Sequence, residues 1–519
     1  MHSRLHAPRR GPPAAAGWVR AVLLAAWVRA VLLAAAVAGG ALPWAGGAAR
    51  AQAAPEQERV EPAVISIEVT QQRVDWYSPW QGTRPETAAG SGFLIGRGRI
   101  MTNAHVVSDA RQIIVRRDGD HQSYFAELEF IAHDADLATL RVADPAFARG
   151  VKPLQLGGLP SLRSRVRTYG YPAGGEKISR TEGVVSRVEF VTYLHTGADQ
   201  HLAVQTDSAI NPGNSGGPVV QEGKVIGVAF QTSTRLNDVG FFIPTPVIKR
   251  FLADVKDGHY DGYGDLGIVT SNLINPVYRD YLGLKADGRG VLVDRVLHGS
   301  SGDGVLRAGD VVLAIDDVPV LSDGTIDSGG YSFSFQQVVE QKLLGEPVRV
   351  AVWRERKRQV LRLPLKRYTE ADRMRARFDA PAPYFVYAGL VFMELNREYL
   401  RTFGNYWENA DKHLLYKHFY AFLEENQAFE GAVVLARILP HRINSAYAYL
   451  VNTQVQSLNG VPIHALRDLE AGLKAGTGRY HRIVLAPGDL QLVLERQEAT
   501  QSHQEIMGLY GIQQDRYLP

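Results

Sequence analysis

Short apolar runs recur through residues 60–255, and turns rich in Gly, Pro and Asp separate them. Many short runs of this kind predict an all-β unit built from antiparallel strands, here two barrels. Residues 249–255 are predicted to form a short helix that closes the unit, and a linker rich in Gly, Asp and Tyr follows over residues 257–264. We therefore expect one domain over residues 60–255 and further domains after the linker.

Two stretches after the linker share a common plan. In each stretch, a glycine and three apolar residues (Gly290–Val293 and Gly431–Val434) precede a strand-like run that contains a Val-Pro pair. This internal repeat indicates two related domains, which we place at residues 260–368 and 384–500.

Each of the two copies contains one distinctive segment. In the first copy, two runs with strand-like alternation flank the charged cluster Arg354–Arg358, which predicts a hairpin with a solvated turn rather than a nucleic-acid site. The second copy carries an insertion over residues 396–427, where aromatic residues at near-helical spacing are more often core or subunit contacts than a ligand site. These aromatics are Tyr399, Phe403, Tyr406, Trp407, Tyr416, Phe419, Tyr420 and Phe422.

The first 53 residues have the composition of a targeting segment. They hold six arginines and no acidic residue, and the order of a positive segment, an apolar run and small residues is that of a secretory signal peptide. We therefore expect a periplasmic or secreted protein. An uncleaved N-terminal helix is the alternative, since Trp18–Leu42 is long enough to span a bilayer, although Arg29 disfavours it. An organelle transit peptide is a third, less favoured interpretation, because the segment is short of serine.

Charge and composition exclude several classes of partner. The chain carries 57 basic and 54 acidic residues, and 51 basic residues remain without the six leader arginines. The rest of the chain is slightly acidic, so nothing global indicates a nucleic-acid partner. Cysteine is absent, which excludes disulfides and thiolate metal sites, and Gly174–Lys177 lacks the spacing of a P-loop. We expect no metal, cofactor or nucleotide.

The segment Asn211–Pro218 places one hydroxyl nucleophile, Ser215, among Gly, Pro and Asn residues that suit a tight turn. A serine hydroxyl needs a base to take its proton and donors to hold the oxyanion that forms after attack. Gly213 and Gly216 allow backbone conformations closed to other residues, so the N–H groups of Gly213 and Ser215 can converge on one oxygen. Taken alone, a β-turn with a capping serine is the alternative.

A candidate base and a candidate carboxylate precede this serine. His105 follows a strand-like run, and Asp136 lies at the start of a second apolar run. A lone His is usually a surface or core residue, and a lone Asp is usually a turn residue. Taken together, however, His105, Asp136 and Ser215 predict a catalytic triad. Such triads occur in different chain orders in unrelated folds, and this chain has the order His, Asp, Ser.

The motifs around these three residues resemble a known family. Ser91–Phe93, Thr102–Val106, Asp136–Ala138 and Gly213–Pro218 look like the motif set of the HtrA/Deg family of trypsin-like serine proteases. Gly183–Arg187, Val228–Gln231 and Ile243–Ile248 are similar to its plant-type Deg branch, which carries two PDZ domains after the protease. The resemblance covers nearly all of the chain after the leader. It implies a mostly β fold, a trypsin-like double β-barrel protease followed by two PDZ domains of the α+β type.

The resemblance assigns a role to each motif position. Ser215 becomes the nucleophile, His105 the general acid and base, and Asp136 the carboxylate that orients His105. The implied oxyanion hole comprises Gly213, Asn214 and Ser215, and the implied substrate pocket comprises Ala209, Ile210, Phe230, Gln231 and Thr232. His121, His133 and Asp134 fall off the motif positions and are predicted to be surface or turn residues.

The pocket residues predict the preferred substrate side chain. The residues before the serine motif floor the pocket in trypsin-like folds, and Ala209 offers no carboxylate to a basic side chain. We therefore expect cleavage after Val, Ile, Ala or Leu rather than after Arg or Lys.

PDZ domains bind a chain end by strand addition, with loop amides holding the terminal carboxylate. In the first copy, the resemblance places this loop at Asp265, Leu266, Gly267 and Ile268. The similar segment Tyr281–Leu284 comes too late in the chain, after a helix predicted over residues 276–281. In the second copy, Tyr387–Val391 keeps one glycine, and the sequence after it departs from the pattern. Ligand capture by the second copy is therefore doubtful, and an internal or assembly role is the alternative.

The family resemblance also implies assembly and function. Trimers are its building block and the plant-type branch can form hexamers, so we expect a homo-oligomer. Trp76, Tyr77 and Trp80 are of the sort that packs around a threefold axis, with burial against their own barrel as the alternative. The leading function is an ATP-independent endopeptidase that degrades unfolded or damaged proteins and uses a PDZ domain for recruitment or regulation. The alternative is a non-catalytic chaperone or peptide-binding scaffold on a protease fold.

Overall fold

The computed structural model describes residues 59–120, 122–172, 175, 177–232, 239–421 and 431–518. The predicted leader over residues 1–53 lies outside these ranges, as does His121.

Seven antiparallel strands curl around one apolar core in the first protease unit. They are β1 (Val64–Gln71), β2 (Glu86–Gly96), β3 (Arg99–Thr102), β4 (Ala110–Arg117), β5 (Tyr124–Phe125), β6 (Glu127–Ala132) and β7 (Leu137–Arg141), with the short helix α1 (Ala104–Val107) after β3. The sheet order is β5-β4-β1-β2-β3-β7-β6, so hydrogen bonding alone does not close the predicted barrel. The chain itself completes the ring, because the two edge strands are consecutive and only Ala126 separates them.

The second protease unit is a closed antiparallel barrel in the order β10-β13-β12-β11-β8-β9. Its strands are β8 (Arg165–Gly170), β9 (Ser179–Thr192), β10 (Gln200–Thr206), β11 (Pro218–Gln221), β12 (Lys224–Thr232) and β13 (Gly240–Pro244). The closing helix α2 (Thr245–Asp254) begins four residues earlier than predicted. Pro246 explains the early start, since its fixed φ suits the first turn of a helix.

The first repeat after the linker forms a five-strand path in the order β14-β15-β16-β20-β21. Its strands are β14 (Ile268–Ser271), β15 (Val291–Val296), β16 (Val311–Ile315), β17 (Val318–Pro319), β18 (Thr325–Ser328), β19 (Tyr331–Ser334), β20 (Pro347–Arg354) and β21 (Lys357–Pro364). Strand β17 pairs with β16, and β18 pairs with β19. The helices are α3 (Pro276–Tyr281), which confirms the predicted helix, and α4 (Gln336–Glu340).

The predicted hairpin around Arg354–Arg358 is confirmed, since β20 pairs with β21 across this turn. The turn residues Glu355 and Arg356 have φ of 51° and 60°. Arg354 is not solvated, however: its Nε and Nη2 atoms donate to the two carboxylate oxygens of Asp310 at 2.7 Å, and its side chain is only 13% exposed. The basic cluster therefore contains one structural ion pair.

The second repeat builds a sheet in the order β28-β27-β25-β24-β23-β22-β29. Its strands are β22 (Tyr384–Tyr387), β23 (Leu390–Glu394), β24 (Val433–Ile438), β25 (Thr453–Leu458), β26 (Val461–Pro462), β27 (Tyr480–Ala486), β28 (Leu490–Glu495) and β29 (Arg516–Tyr517). The helices are α5 (Arg397–Arg401), α6 (Tyr406–Asn409), α7 (Lys412–Phe419), α8 (Asp468–Ala475) and α9 (Arg496–Leu509). Within the insertion, Tyr399 is buried as predicted, whereas Trp407 and Tyr420 are exposed, and Phe422 lies outside the described residues.

The closed barrel and the first repeat share one continuous apolar core. Tyr260 of the linker lies 5.7 Å from Phe251 of α2, measured between ring centroids. A buried ion pair crosses the same boundary, with Nδ1 of His201 on β10 lying 3.1 Å from a carboxylate oxygen of Glu340 on α4. The first repeat is thereby fixed to the protease unit.

The second repeat packs on the first protease unit. Trp76 and Trp80 join the apolar cluster of the second repeat, where the Trp80 ring lies 6.1 Å from that of Tyr384. Tyr77 is exposed, and the guanidinium of Arg437 lies 4.3 Å from its ring centroid. These aromatics therefore contact another domain of the same chain, an arrangement that neither of the two sequence-based alternatives included.

Residues 372–380, which we call the interdomain strap, connect the two repeats and lie against the protease unit. Arg375 of the strap donates from Nε and Nη2 to Asp199, at distances of 2.6–2.9 Å. Asp199 lies in the loop of residues 193–199 between β9 and β10, and its side chain is 8% exposed. Burial raises the pKa of Asp199, but the hydrogen bonds and the charge of Arg375 hold this pKa below its usual value.

We expect Arg375→Met to lower the free energy of unfolding by about 3 kcal/mol, because it leaves the Asp199 carboxylate buried without its cation. Urea titration of tryptophan fluorescence measures the loss, since Trp76 and Trp80 lie in the domain interface. Arg358→Met, at an exposed side chain on β21 next to the hairpin turn, is the matched control and should change stability by less than about 0.5 kcal/mol. Equal effects of the two substitutions would contradict a stabilising role of the Arg375 ion pair.

Candidate active site

Asp136 holds His105 through two hydrogen bonds. Its Oδ2 atom lies 2.7 Å from Nδ1 of His105, and its Oδ1 atom accepts the backbone N–H of His105 at 2.9 Å. The Asp136 side chain is 2% exposed, and its φ of 49° places it in a tight turn just before β7. Asn103, which precedes α1, donates its side-chain amide to the Asp136 carbonyl at 2.8 Å. These hydrogen bonds join the Asp136 turn to helix α1, and the Asp136 carboxylate orients the His105 ring.

Burial and charge act in opposite directions on this pair. Burial lowers the pKa of His105, but the charge of Asp136 and its hydrogen bond prevail and raise this pKa above the ordinary value of 6.5. Burial raises the pKa of Asp136, and the charge and hydrogen bonds of His105 bring it below its usual value. The pair therefore favours an ionised carboxylate beside a ring that accepts a proton readily.

Ser215 lies in a turn that Ser91 of β2 holds in place. The Ser91 N–H donates to the Ser215 carbonyl at 2.8 Å, and the Ser91 hydroxyl donates to the Gly213 carbonyl at 2.6 Å. Gly213 and Gly216 have φ of 97° and 85°, in the left-handed region that favours glycine. A Cβ atom on Gly216 would lie 2.0 Å from the Ser91 carbonyl oxygen, so the close approach of the two segments also requires glycine.

The hydroxyl of Ser215 donates to the Phe230 carbonyl at 3.4 Å. Within the described part of the chain, no hydrogen bond joins this hydroxyl to His105. Catalytic hydrogen bonds are often long in free enzymes and tighten only when substrate binds. In this structure the Ser215 hydroxyl therefore contacts Phe230 rather than His105.

The backbone N–H groups of Gly213 and Ser215 donate to no other group among the residues described, so both are free for an incoming oxygen. Asn214 departs from the prediction that grouped it with them. Its N–H donates to the Asn211 carbonyl at 2.9 Å and closes the turn. Asn214 therefore shapes the loop, and its amide is not free for an oxyanion.

Ala209 and Ile210 lie immediately before the serine turn. Ile210 is buried, whereas Ala209 is exposed and carries no carboxylate that could pair with a basic side chain. The acidic residue two positions earlier, Asp207, accepts the Val184 N–H at 2.6 Å and is thus bound to the backbone.

Phe230 directs its ring into the barrel core, where it lies 4.7 Å from the Tyr193 ring between centroids. Its carbonyl, rather than its side chain, faces Ser215. Gln231 and Thr232 are the last two residues of β12.

The predicted carboxylate loop of the first repeat leads into β14, an edge strand beside which a chain end could pair. The N–H of Gly267 donates to Oδ1 of Asp265 at 2.7 Å, so the loop's own carboxylate occupies this amide. Burial raises the pKa of Asp265 in spite of that hydrogen bond. A cavity of about 360 Å³ opens beside the loop, and its lining includes Leu266, Ile268, Phe335 and Val339 from the repeat, Asp199 from the protease unit and Arg375 from the strap.

The corresponding strand of the second repeat has no free edge among the described residues. Strand β23 follows Gly389 and pairs with β22 on one side and β24 on the other. Strand β29 then pairs with the outer side of β22. An external chain end therefore has no place beside β23, which supports an internal role for this domain.

The sequence patterns missed a group of residues behind His105. His133, predicted to be a surface or turn residue, has its Nδ1 atom 2.9 Å from Nε2 of His195. The His195 ring lies 6.3 Å from the His105 ring, and Phe378 of the strap stacks on His195 with 4.0 Å between centroids. No local motif marks these residues, because separate segments contribute them.

Asp134 was also predicted to be a surface or turn residue, and it does lie in the turn before β7, but it is not at the surface. Asp134 is 5% exposed, and its Oδ1 atom accepts the Tyr260 hydroxyl at 2.6 Å. It therefore joins the turn that carries Asp136 to the linker before the first repeat.

Two family models match parts of this chain. A family model described as Trypsin-like peptidase domain matches residues 90–228, and one described as PDZ domain matches residues 374–517. The chain is 35% identical over 460 residues to Protease Do-like 2, chloroplastic, of Arabidopsis thaliana, a match that covers 88% of this chain and 74% of the relative. It is 33% identical over 409 residues to Putative protease Do-like 3, mitochondrial, of the same plant, with coverage of 78% and 71%.

Among solved structures, the chain is similar to one described as HtrA-type protease AlgW with tripeptide. Sequence identity is 26%, the TM-score is 0.48, and the match covers 60% of this chain and 95% of that one. The family models and the relatives confirm the predicted fold class, which is mostly β with trypsin-like and PDZ domains.

The predicted periplasmic or secreted location is wrong. The two relatives are named as chloroplastic and mitochondrial, and Protease Do-like 4 of Arabidopsis thaliana is named as mitochondrial. An Arg-rich, acid-poor segment is common to secretory signals and organelle transit peptides, so composition separated the two only weakly. The predicted anchoring helix lies outside the described residues, and within them no helix combines the length and apolarity needed to cross a bilayer.

We expect Gly216→Ala to disrupt the serine turn, because the new Cβ would lie 2.0 Å from the Ser91 carbonyl oxygen. Gly223→Ala is the matched control, since its φ of 75° is similar and the nearest heavy atom is 3.7 Å away. Both substitutions place a residue with a Cβ atom in the left-handed region, which should lower the free energy of unfolding by about 1–2 kcal/mol. Gly216→Ala should lower the free energy of unfolding, measured in urea, by about 2 kcal/mol more. If the two losses were equal, the contact with Ser91 would not hold the turn.

Proposed function

Because the chain belongs to the Do-like (Deg/HtrA) family of trypsin-like serine proteases, we propose that it is an ATP-independent endopeptidase that degrades unfolded or damaged proteins. One observation carries the proposal: His105 is bonded to a buried Asp136, across the barrel boundary from a serine turn with two unpaired amides. Peptide hydrolysis by such a site needs no nucleotide, because hydrolysis of a peptide bond is itself downhill in free energy and the acyl-enzyme only divides it into two steps.

Ser215 is the proposed nucleophile of an acyl-enzyme mechanism. Once its hydroxyl turns from Phe230 toward His105, Nε2 of His105 takes the proton while Oγ bonds to the scissile carbonyl carbon. Asp136 holds the Nδ1–H of His105 and stabilises the imidazolium that forms. His105 then gives the proton to the leaving amine, and a water molecule repeats the steps on the acyl-enzyme.

The carbonyl oxygen becomes negatively charged during the attack. The free N–H groups of Gly213 and Ser215 are the proposed donors to this oxyanion, and one such donor is typically worth about 10²–10³ in turnover. Since the turn is already held by Ser91, the donors need little reorganisation when the charge develops.

Two features of the assignment stay predictions. Recruitment of chain ends by the first PDZ domain requires a ligand to compete with Asp265 for the Gly267 amide. Assembly into trimers or hexamers is expected from the family resemblance, and Trp76 and Trp80 already pack in part against the second repeat of the same chain.

Cleavage of an unfolded protein tests the proposed function. Wild-type protein should degrade casein without added ATP, and Ser215→Ala should not, because it removes the nucleophile. Equal degradation by the two proteins would refute Ser215 as the nucleophile. Absence of degradation by either would favour the non-catalytic scaffold.

The fragments from the same casein digest test the pocket. We expect Val, Ile, Ala or Leu before most cleaved bonds, because Ala209 provides no carboxylate and Ile210 is apolar. Mass spectrometry of the fragment ends gives the distribution. A majority of Arg or Lys at this position would contradict the proposed pocket.

The pH profile tests the role of His105. A general base must be neutral, and the charge of Asp136 raises the pKa of His105 above 6.5, so kcat/KM should fall as the pH drops through a midpoint above 6.5. A fluorogenic peptide assay between about pH 5 and pH 9 gives this midpoint for the free enzyme. A midpoint at or below the ordinary histidine value would exclude a carboxylate-supported base.

A further inference from the structure

Two histidines outside the triad form a hydrogen-bonded chain that ends on the interdomain strap. Nε2 of His133 lies 3.0 Å from Oδ2 of Asp379, and Nδ1 of His133 lies 2.9 Å from Nε2 of His195. With Asp379 accepting the Nε2 proton, a neutral His133 presents Nδ1 as an acceptor, so His195 donates from Nε2. Asp379 therefore sets the tautomers of both rings.

Phe378 fills the space beside these rings. It stacks on His195 with 4.0 Å between centroids and 14° between ring planes, and it lies 5.0 Å from His133 at 23°. A phenylalanine that stacks on two imidazoles restricts the orientation of both. The strap thus fixes His195 in two ways: Phe378 stacks on the His195 ring, and Asp379 holds His133, to which His195 is hydrogen-bonded.

His195 in turn lies beside the helix that carries the catalytic histidine. Its ring centroid is 6.3 Å from that of His105, and its Nε2 atom is 3.5 Å from the hydroxyl of Ser108, the residue that caps α1. Burial, opposed by the charge of Asp136, lowers the pKa of His195 to about 4. The ring is therefore uncharged at neutral pH and does not repel an imidazolium at His105.

The strap also binds the C-terminal end of this short helix directly. The Asp379 N–H donates to Oδ1 of Asp109 at 2.8 Å, and the Asp109 N–H donates back to Oδ1 of Asp379. Asp109 follows the helix cap Ser108 directly, and α1 has only four residues. A helix of one turn has little stability of its own, so contacts at its end and on its flank determine where His105 lies.

We propose that Phe378 and Asp379 of the interdomain strap are positioning residues of the protease, which hold His105 in its catalytic orientation through His195, His133 and Asp109. This inference rests on the proposed roles of His105 and Ser215. The interdomain strap then supports the active site as well as connecting the two PDZ domains.

Phosphonylation of Ser215 by a fluorophosphonate probe tests the inference, because this reaction depends on His105 but not on a peptide substrate, a PDZ ligand or product release. In the full chain, Phe378→Ala should lower the labelling rate about tenfold, and it should lower kcat about tenfold at unchanged KM. Misplacement of a catalytic group by about 1 Å can cost roughly 10²-fold in rate, so the expected loss corresponds to a smaller displacement of His105. Phe378→Tyr keeps the stacked ring and should restore the rate to within about twofold. Phe125→Ala, at a phenylalanine that is 72% exposed on β5, is the matched control and should label like wild type.

Each outcome decides the inference. Wild-type labelling by a folded Phe378→Ala protein would overturn it. If Phe378→Ala does not fold, Asp379→Asn, at a side chain that is 32% exposed, takes its place, and labelling by that variant at the wild-type rate would overturn it equally. Failure of the proposed function is distinguishable, because the wild-type protein itself would then not label, or Ser215→Ala would label as well.

Discussion

The hydrogen bonds of one buried serine, Ser91, join the two barrels, and the geometry of the site depends on them. Its N–H and hydroxyl hold the carbonyls of Ser215 and Gly213 in the second barrel, and its carbonyl accepts the Thr102 hydroxyl at 2.7 Å in the first. Thr102 lies three residues before His105. The turn that carries the nucleophile and the segment that carries the base are therefore placed relative to the same residue, although they come from different sheets.

The PDZ domains are bound to this core rather than tethered loosely. The first shares an apolar core and the buried His201–Glu340 ion pair with the second barrel. The second packs on Trp76 and Trp80 of the first barrel. Arg375 of the strap both pairs with Asp199 and lines the cavity beside the PDZ loop. Changes in domain docking can thus reach the loop of residues 193–199, which carries His195 next to the catalytic histidine.

Sequence reasoning worked where local chemistry is decisive and failed where distant segments meet. The α3 helix and the hairpin around Arg354–Arg358 follow from residue types and periodicity within one segment. Asn214 departs from expectation because an amide in a tight turn bonds to the turn itself. Asp134 lies in a turn as predicted, but it is buried, because its partner, Tyr260, comes from a segment 126 residues away along the chain.

The sequence by itself determined the kinds of groups in the site, the order in which they occur and the fold class, since motif spacing and strand alternation are local properties of the chain. Only the tertiary structure decided that the Ser215 hydroxyl faces Phe230 and that Phe378 stacks on His195. The physical reason is that such contacts depend on how separate segments pack, and side-chain orientation in a packed interior is set by all the neighbours at once. No single segment encodes them.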